Sequence, residues 1–370
     1  MKKLLPIPLF VMALGSGLVQ AHDLQVSVAK QQAAVAADQD VEVVLNYRNT
    51  GKETLHIYKW YLPGKDLQEQ IFEVSRDGKP VSYLGPRYKR VTPTIKDTVA
   101  LAPGASLSVK VKVSDYYDMS QSGRFDVRFQ AASSRVLNRA APQLNAKIAS
   151  GAEAAAAADE VLSSNTASVS VAGRSSKLLK QSLDAQREWS ILSRKAAASS
   201  VSYAANCSVN QQSQTNGGVS AAIGMANDSV SYLSGSPSGT PRYTTWFGQY
   251  SQANWNTAKS HYVSIKDALD TKPISIDCGC TQGGTYAYVY PSQPYKIYLC
   301  GAFWSAPTSG TDSKGGTLVH ELSHFTVVAG TSDHVYGQTG AKNLAKTNPT
   351  QALNNADSHE YFAENTPAQQ

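Results

Sequence analysis

His320, Glu321 and His324 form an HExxH pattern inside the segment Thr317 to Val328 of a 370-residue chain. On a helix, positions i and i+4 lie one turn apart on one face, so both imidazoles can bind a single Zn²⁺ with Glu321 beside the open coordination position. A carboxylate so placed can take a proton from water, which is the chemistry of hydrolysis. Leu318, Val319, Leu322, Phe325 and Val328 give the segment an apolar face to bury, and Gly330 is a natural stop, so the pattern predicts a helix running to about Val328.

A catalytic zinc needs a third protein ligand and a position left for water. The extended pattern HExxHxxGxxH is excluded, because Val327 and Gly330 stand where it needs glycine and histidine. Glu360 or Glu364, on a later helix, would give a gluzincin arrangement. Asp333, nine residues after His324, is reached by a short reversal through Gly330. His334 is its neighbour, and adjacent side chains in an extended turn point apart, so one of the two reaches the metal. A different class also fits the motif: a secreted adhesin or binding protein with a structural zinc, which would close the fourth position with protein and would not need Glu321.

The elements that must position these groups divide the chain in two. Residues 23 to about 131 read as short alternating strands, Leu24–Val28, Val41–Tyr47, Leu107–Val113 and Arg124–Phe129, punctuated by Asp77-Gly78, Pro103-Gly104 and Ser122-Gly123. This pattern predicts an all-β, immunoglobulin-like antiparallel sandwich. The chain then turns Ala- and Ser-rich, with helical spacing over Lys177–Leu192. From about Lys195 it reads as a mainly α (α+β) domain whose strands are Ile274–Ile276, Tyr286–Tyr290 and Lys296–Leu299. The expected division is a signal peptide at 1–21, a β-sandwich at 22–174, an exposed connector at 175–194 and the metal domain at 195–370.

Composition narrows the setting. Lys2 and Lys3 precede an apolar run broken by Pro6, Pro8, Gly15 and Gly17, and Val19-Gln20-Ala21 suits a signal peptidase, so a secreted protein without a membrane span is expected. The net charge of +6 is modest and no basic block appears, which excludes nucleic acid as a partner. Cys207, Cys278, Cys280 and Cys300 are an even set. Direct pairing of Cys278 with Cys280 is sterically poor, leaving two connectivities.

HExxH followed by Gly330-Thr331-Ser332-Asp333-His334-Val335-Tyr336-Gly337 resembles the signature of the aspzincins, the deuterolysin and peptidyl-Lys metalloendopeptidase family. The likeness spans the second half and takes in Ala302-Phe303-Trp304 and Asp312-Ser313-Lys314. It implies a zincin-like fold with one Zn²⁺ per chain on His320, His324 and Asp333, Glu321 as general base and Tyr336 as a hydroxyl that stabilises the tetrahedral intermediate. It also implies the disulfides Cys207–Cys278 and Cys280–Cys300. Asp357 and Glu360, three apart on a predicted helix, match the acidic S1′ pocket of Lys-specific members, implying a preference for Lys at P1′. The leader and β-rich first half resemble secreted bacterial members, which include toxic caseinolytic endopeptidases made as proenzymes.

These implications yield further expectations. The protein acts as a monomer on protein and peptide substrates, and the first half is a pro-domain, an intramolecular inhibitor or chaperone. A protease preferring Lys after the cut could mature itself at Arg194-Lys195, with Lys177 and Lys180 as competing sites. The pro-region holds no cysteine to ligate zinc, so latency needs another device: a pro-domain lysine seated in the acidic pocket.

Overall fold

The computed structural model describes residues 23–64, 66–138, 160–192 and 200–370. The leader, the Ala154–Ala158 run and Arg194-Lys195 lie outside these residues. The N-terminal half builds two main sheets that share one core, with a two-stranded sheet of Leu55–Tyr58 and Thr98–Leu101 beside them. In the first, Glu42–Asn49 is central, flanked antiparallel by Leu24–Lys30 and Ser106–Lys112. In the second, Gly123–Ala132 lies between Phe72–Arg76 and Ala167–Val171. Strand alternation sends Val43, Leu45 and Tyr47 from one sheet and Phe125, Val127 and Phe129 from the other into that core. Ala167–Val171 also pairs in parallel with Ala34–Val35, a departure from the all-antiparallel expectation.

In the C-terminal half, helices Val209–Leu233, Gln252–Thr271, Lys314–His324 and Ala356–Glu364 pack with a five-stranded sheet around a second core. The long first helix begins with a capping box in which Ser208 accepts from the Gln211 amide and Gln211 reaches back to the Ser208 amide. Gly315 and Gly316 let the helix carrying the motif approach its neighbours closely. A Cβ on Gly316 would stand 2.1 Å from Glu364 Oε1, and one on Gly315 2.8 Å from Ala221 Cβ. Disulfides join Cys207 to Cys278 and Cys280 to Cys300, the pairing implied by the family resemblance.

The sheet of this second half has the order Ser200–Tyr203, Pro273–Asp277, Lys296–Leu299, Thr285–Val289, Arg87–Arg90. Its last strand comes from the first half of the chain. Thr285–Val289 would otherwise be a sheet edge with unpaired amides and carbonyls, and Arg87–Arg90 fills it antiparallel, Tyr88 opposite Tyr288 and Lys89 opposite Ala287. The helix Lys177–Leu192 is exposed over most of its length. One face is packed, with Ser182 bonded to Ser292 and Trp189 edge-on to Tyr295 at 4.7 Å.

Candidate metal and peptide-binding site

The motif helix starts with Ser313 capping the Gly316 amide and ends at His324, one turn short of the expected stop near Val328. The apolar run Phe325–Val328 continues the helical pattern, but the Phe325 backbone is already extended and Gly330 turns the chain with φ +63°. The early ending lets the chain double back at once: the Thr331 amide donates to Ser323 O, and His324 Nδ1 donates to Thr331 O at 2.9 Å. With that nitrogen protonated, Nε2 is the free lone pair.

Three donor atoms then converge. His320 Nε2 and His324 Nε2 are 3.1 Å apart, and Asp333 Oδ1 lies 3.2 Å from the first and 3.3 Å from the second. All three residues are buried. Zinc–nitrogen bonds of ~2.0–2.1 Å at a tetrahedral angle separate donor atoms by about 3.3 Å, so this triangle has the size of one face of a zinc site. Two facing imidazole nitrogens and a carboxylate are a donor set that a divalent cation satisfies. Burial alone would raise the Asp333 carboxyl, but His324 and His320 outweigh it and hold Asp333 well below the usual range. Glu321 is fully buried, and neither carboxylate oxygen has a hydrogen-bond partner among the described residues. Burial pushes its carboxyl well above the usual range against the pull of His320.

His334 is turned away, its Nε2 paired with Asn354 Oδ1 at 2.9 Å and its amide donating to Asn355 Oδ1. Glu364 accepts from the Asp312 and Ser313 amides and the Ser313 hydroxyl, at the start of the motif helix. Glu360 lies 3.3 Å from His320 Nδ1, the ring nitrogen opposite the one that faces His324 and Asp333. Asp357 is closer to the same nitrogen, at 2.9 Å, and its other oxygen accepts from the Gly337 amide. Sequence reasoning placed Asp357 in a pocket and missed that it also orients His320, a contact between two helices that spacing within one helix does not reveal.

The pocket holds a cation. Lys89 Nζ lies 2.6 Å from Glu360 Oε2, 3.4 Å from Asp312 Oδ1 and 3.7 Å from Asp357 Oδ1, and Lys89 is fully buried. Burial alone would lower the lysine, but Glu360, Asp357 and Asp312 outweigh it and keep it charged, with a pKa well above its ordinary value. The register slips between Thr285 and Ala287, and the ring of Tyr286, in that bulge, stands 4.8 Å from the ammonium as a further wall. Just N-terminal to Lys89, the Tyr88 carbonyl accepts from the Tyr336 hydroxyl at 2.9 Å. Glu69 Oε1 lies 3.3 Å from the same hydroxyl. Burial first, then the Glu69 carboxylate, hold the Tyr336 phenol protonated as a donor. Glu69 is in turn paired with Arg90 at 3.4 Å and Arg135 at 3.3 Å. Asp312, Glu69 and Tyr286 were not singled out as site residues from sequence, because their partners lie far along the chain.

The chain is similar to several known proteins. The model of the lysine-specific metallo-endopeptidase (aspzincin) family matches residues 232–364. An extracellular protease from Aeromonas hydrophila is 45% identical over 331 residues, covering 89% of each chain. A peptidyl-Lys metalloendopeptidase from Grifola frondosa is 38% identical over 344 residues, 91% of each chain. A solved zinc peptidase from Grifola frondosa is 51% identical, with a TM-score of 0.43, over 44% of this chain and 100% of its own. The chain belongs to the aspzincin family of zinc metalloendopeptidases.

Proposed function

We propose that this is a secreted endopeptidase made as a proenzyme, cutting peptide bonds on the amino side of lysine and held latent by its own N-terminal half. The observation that carries this reading is Lys89: its ammonium lies among Asp312, Asp357 and Glu360 while the carbonyl that precedes it meets Tyr336. A substrate with Lys at P1′ would present the same two features to the same groups.

His320, His324 and Asp333 would hold one zinc, which when bound acidifies a water and polarises a carbonyl. Glu321, buried and without a partner, receives the proton of the attacking water and passes it to the departing amine. Tyr336, on the carbonyl oxygen, donates to the charge that grows there during attack. Asp357 fixes the His320 ring and, with Glu360 and Asp312, fixes the P1′ cation. The N-terminal half supplies latency by laying Arg87–Arg90 along the strand that a substrate would pair with. Removal of that half by cleavage near Arg194-Lys195, which is outside the described residues, frees the pocket. Secretion is supported by the leader-like N-terminus and by the extracellular relative from Aeromonas hydrophila.

A cleavage-site profile of the processed enzyme on a denatured protein tests the specificity. Wild type is expected to cut before Lys. Asp357→Asn and Glu360→Gln are expected to lose that selectivity by one to two orders of magnitude, as unpaired buried polar groups do. Cuts distributed without regard to Lys in the wild type would refute the pocket assignment.

A further inference from the structure

The segment that blocks the cleft has the form of a substrate rather than of a plug. Arg87–Arg90 runs antiparallel to Thr285–Val289, its Lys89 side chain fills the cation pocket, and the Tyr88 carbonyl is the one that Tyr336 engages. Both flanks of this peptide are tied to the N-terminal half. On one side Arg87 donates to Gln70 and the Leu84 amide to Tyr116 O. On the other, Arg90 is buried against Glu69 and stacks over Trp60 at 4.5 Å and Tyr88 at 4.7 Å. Beyond it the Val91 amide donates to Gly284 O of the C-terminal half, extending the strand pairing there.

We propose that Tyr88–Lys89 is a self-cleavage site, cut within the folded chain, and that the Arg90–Glu69 clamp keeps the new Lys89 end in the pocket so that this cut alone does not activate the enzyme. The proposal rests on the reading above. The reaction is hydrolysis: water's hydroxyl adds to the Tyr88 carbonyl carbon, the C–N bond breaks, and the proton carried by Glu321 goes to the Lys89 nitrogen. The products are a Tyr88 carboxylate and a Lys89 amine. Neither can diffuse away, since each end remains anchored in the same folded half.

The test uses the full-length chain. Loaded with zinc, it should yield a fragment beginning at Lys89, seen by denaturing mass analysis and N-terminal sequencing, while hydrolysis of an added Lys-containing peptide is still at its latent level. The rate should not change over a tenfold range of protein concentration, as befits an intramolecular cut, and Glu321→Ala and Lys89→Met should abolish it. Arg90→Ala should be cut at the same bond but gain peptide activity at least about tenfold sooner, because the clamp is gone. In zinc-free Glu321→Ala the amides of Arg87–Val91 should exchange slowly, as paired strand amides do.

A Tyr88–Lys89 bond that stays intact while the same preparation cuts added peptides before Lys would overturn the proposal and leave the protease reading standing. A concentration-dependent cut, rapid exchange of those amides, or Arg90→Ala as latent as wild type would overturn it as well. Failure of any zinc-loaded form to cut added peptides before Lys would instead remove the reading on which the proposal rests.

Discussion

The two nitrogens of His320 face two different acidic environments. On the Nε2 side a second imidazole and one carboxylate, Asp333, stand at 3.1–3.3 Å separations. On the Nδ1 side Asp357 and Glu360 approach the ring at 2.9 and 3.3 Å and share the Lys89 ammonium with Asp312. The first set is two imidazole nitrogens and one carboxylate in a tight triangle, which suits a small divalent ion. The second is all oxygen with three negative charges, wide enough for an alkyl-ammonium head and its stem. On the proposed reading, imidazole nitrogens with one carboxylate on one side and three carboxylates on the other let one ring serve a metal and a substrate lysine without exchanging their cations.

Breaking the metal side should have the largest effect. Glu321→Ala removes the proposed proton carrier and leaves the donor triangle intact, so hydrolysis by the processed enzyme should fall by about 10²–10⁴ with zinc content unchanged. Steady-state rates and metal analysis on one preparation check this. An unchanged rate would favour a structural zinc in a binding protein.

Breaking the pocket side from within comes next. Lys89→Ala leaves buried carboxylates without their cation, a loss of about 3–5 kcal/mol in docking. Basal activity of the unprocessed chain should then rise by roughly two to four orders of magnitude. Peptide hydrolysis before any processing, followed on a gel-verified full-length sample, measures it. Lys89→Arg should be milder, since it keeps the charge but not the shape of the ammonium.

The smallest effect concerns acid. Burial, aided by His261, lowers His359 to about 3, and burial, aided by Arg135, lowers His334 to about 4. In the unfolded chain both titrate near ~6.5, so below that pH the unfolded state binds protons that the folded state refuses. These two groups therefore make stability fall as pH drops from about 6.5 toward 4. Urea unfolding of the zinc-free chain at several pH values should show that slope, and His359→Gln should flatten it. An identical slope in the variant would contradict the assignment.

What sequence revealed of this site follows from how local each feature is. The motif histidines, Glu321 and Asp333 are bound together by one helix turn and one reversal, and the structure brings them together as spacing suggests. The reversal itself was misjudged by a turn, since Thr326-Val327-Val328 continues an apolar pattern that the backbone abandons after His324. Arg87-Tyr88-Lys89-Arg90 was not singled out as a strand: it carries three cations in four residues, and the sheet edge that accepts it begins about two hundred residues later. A pro-domain lysine in the pocket could be expected in general, but Lys89 itself is selected only by the folded arrangement. The strands Leu24–Lys30, Glu42–Asn49, Ser106–Lys112 and Gly123–Ala132 were legible because period-two alternation is a property of each strand alone, whereas their sheet order and the parallel pairing of Ala34–Val35 were not.

The most direct test of the account is zinc stoichiometry in purified full-length protein, measured for wild type, Asp333→Ala and Glu360→Gln. One zinc per chain is expected in wild type and in Glu360→Gln, with most of it lost from Asp333→Ala. A metal-free wild type, or an Asp333→Ala that keeps its zinc while Glu360→Gln loses it, would contradict the ligand set on which everything else is built.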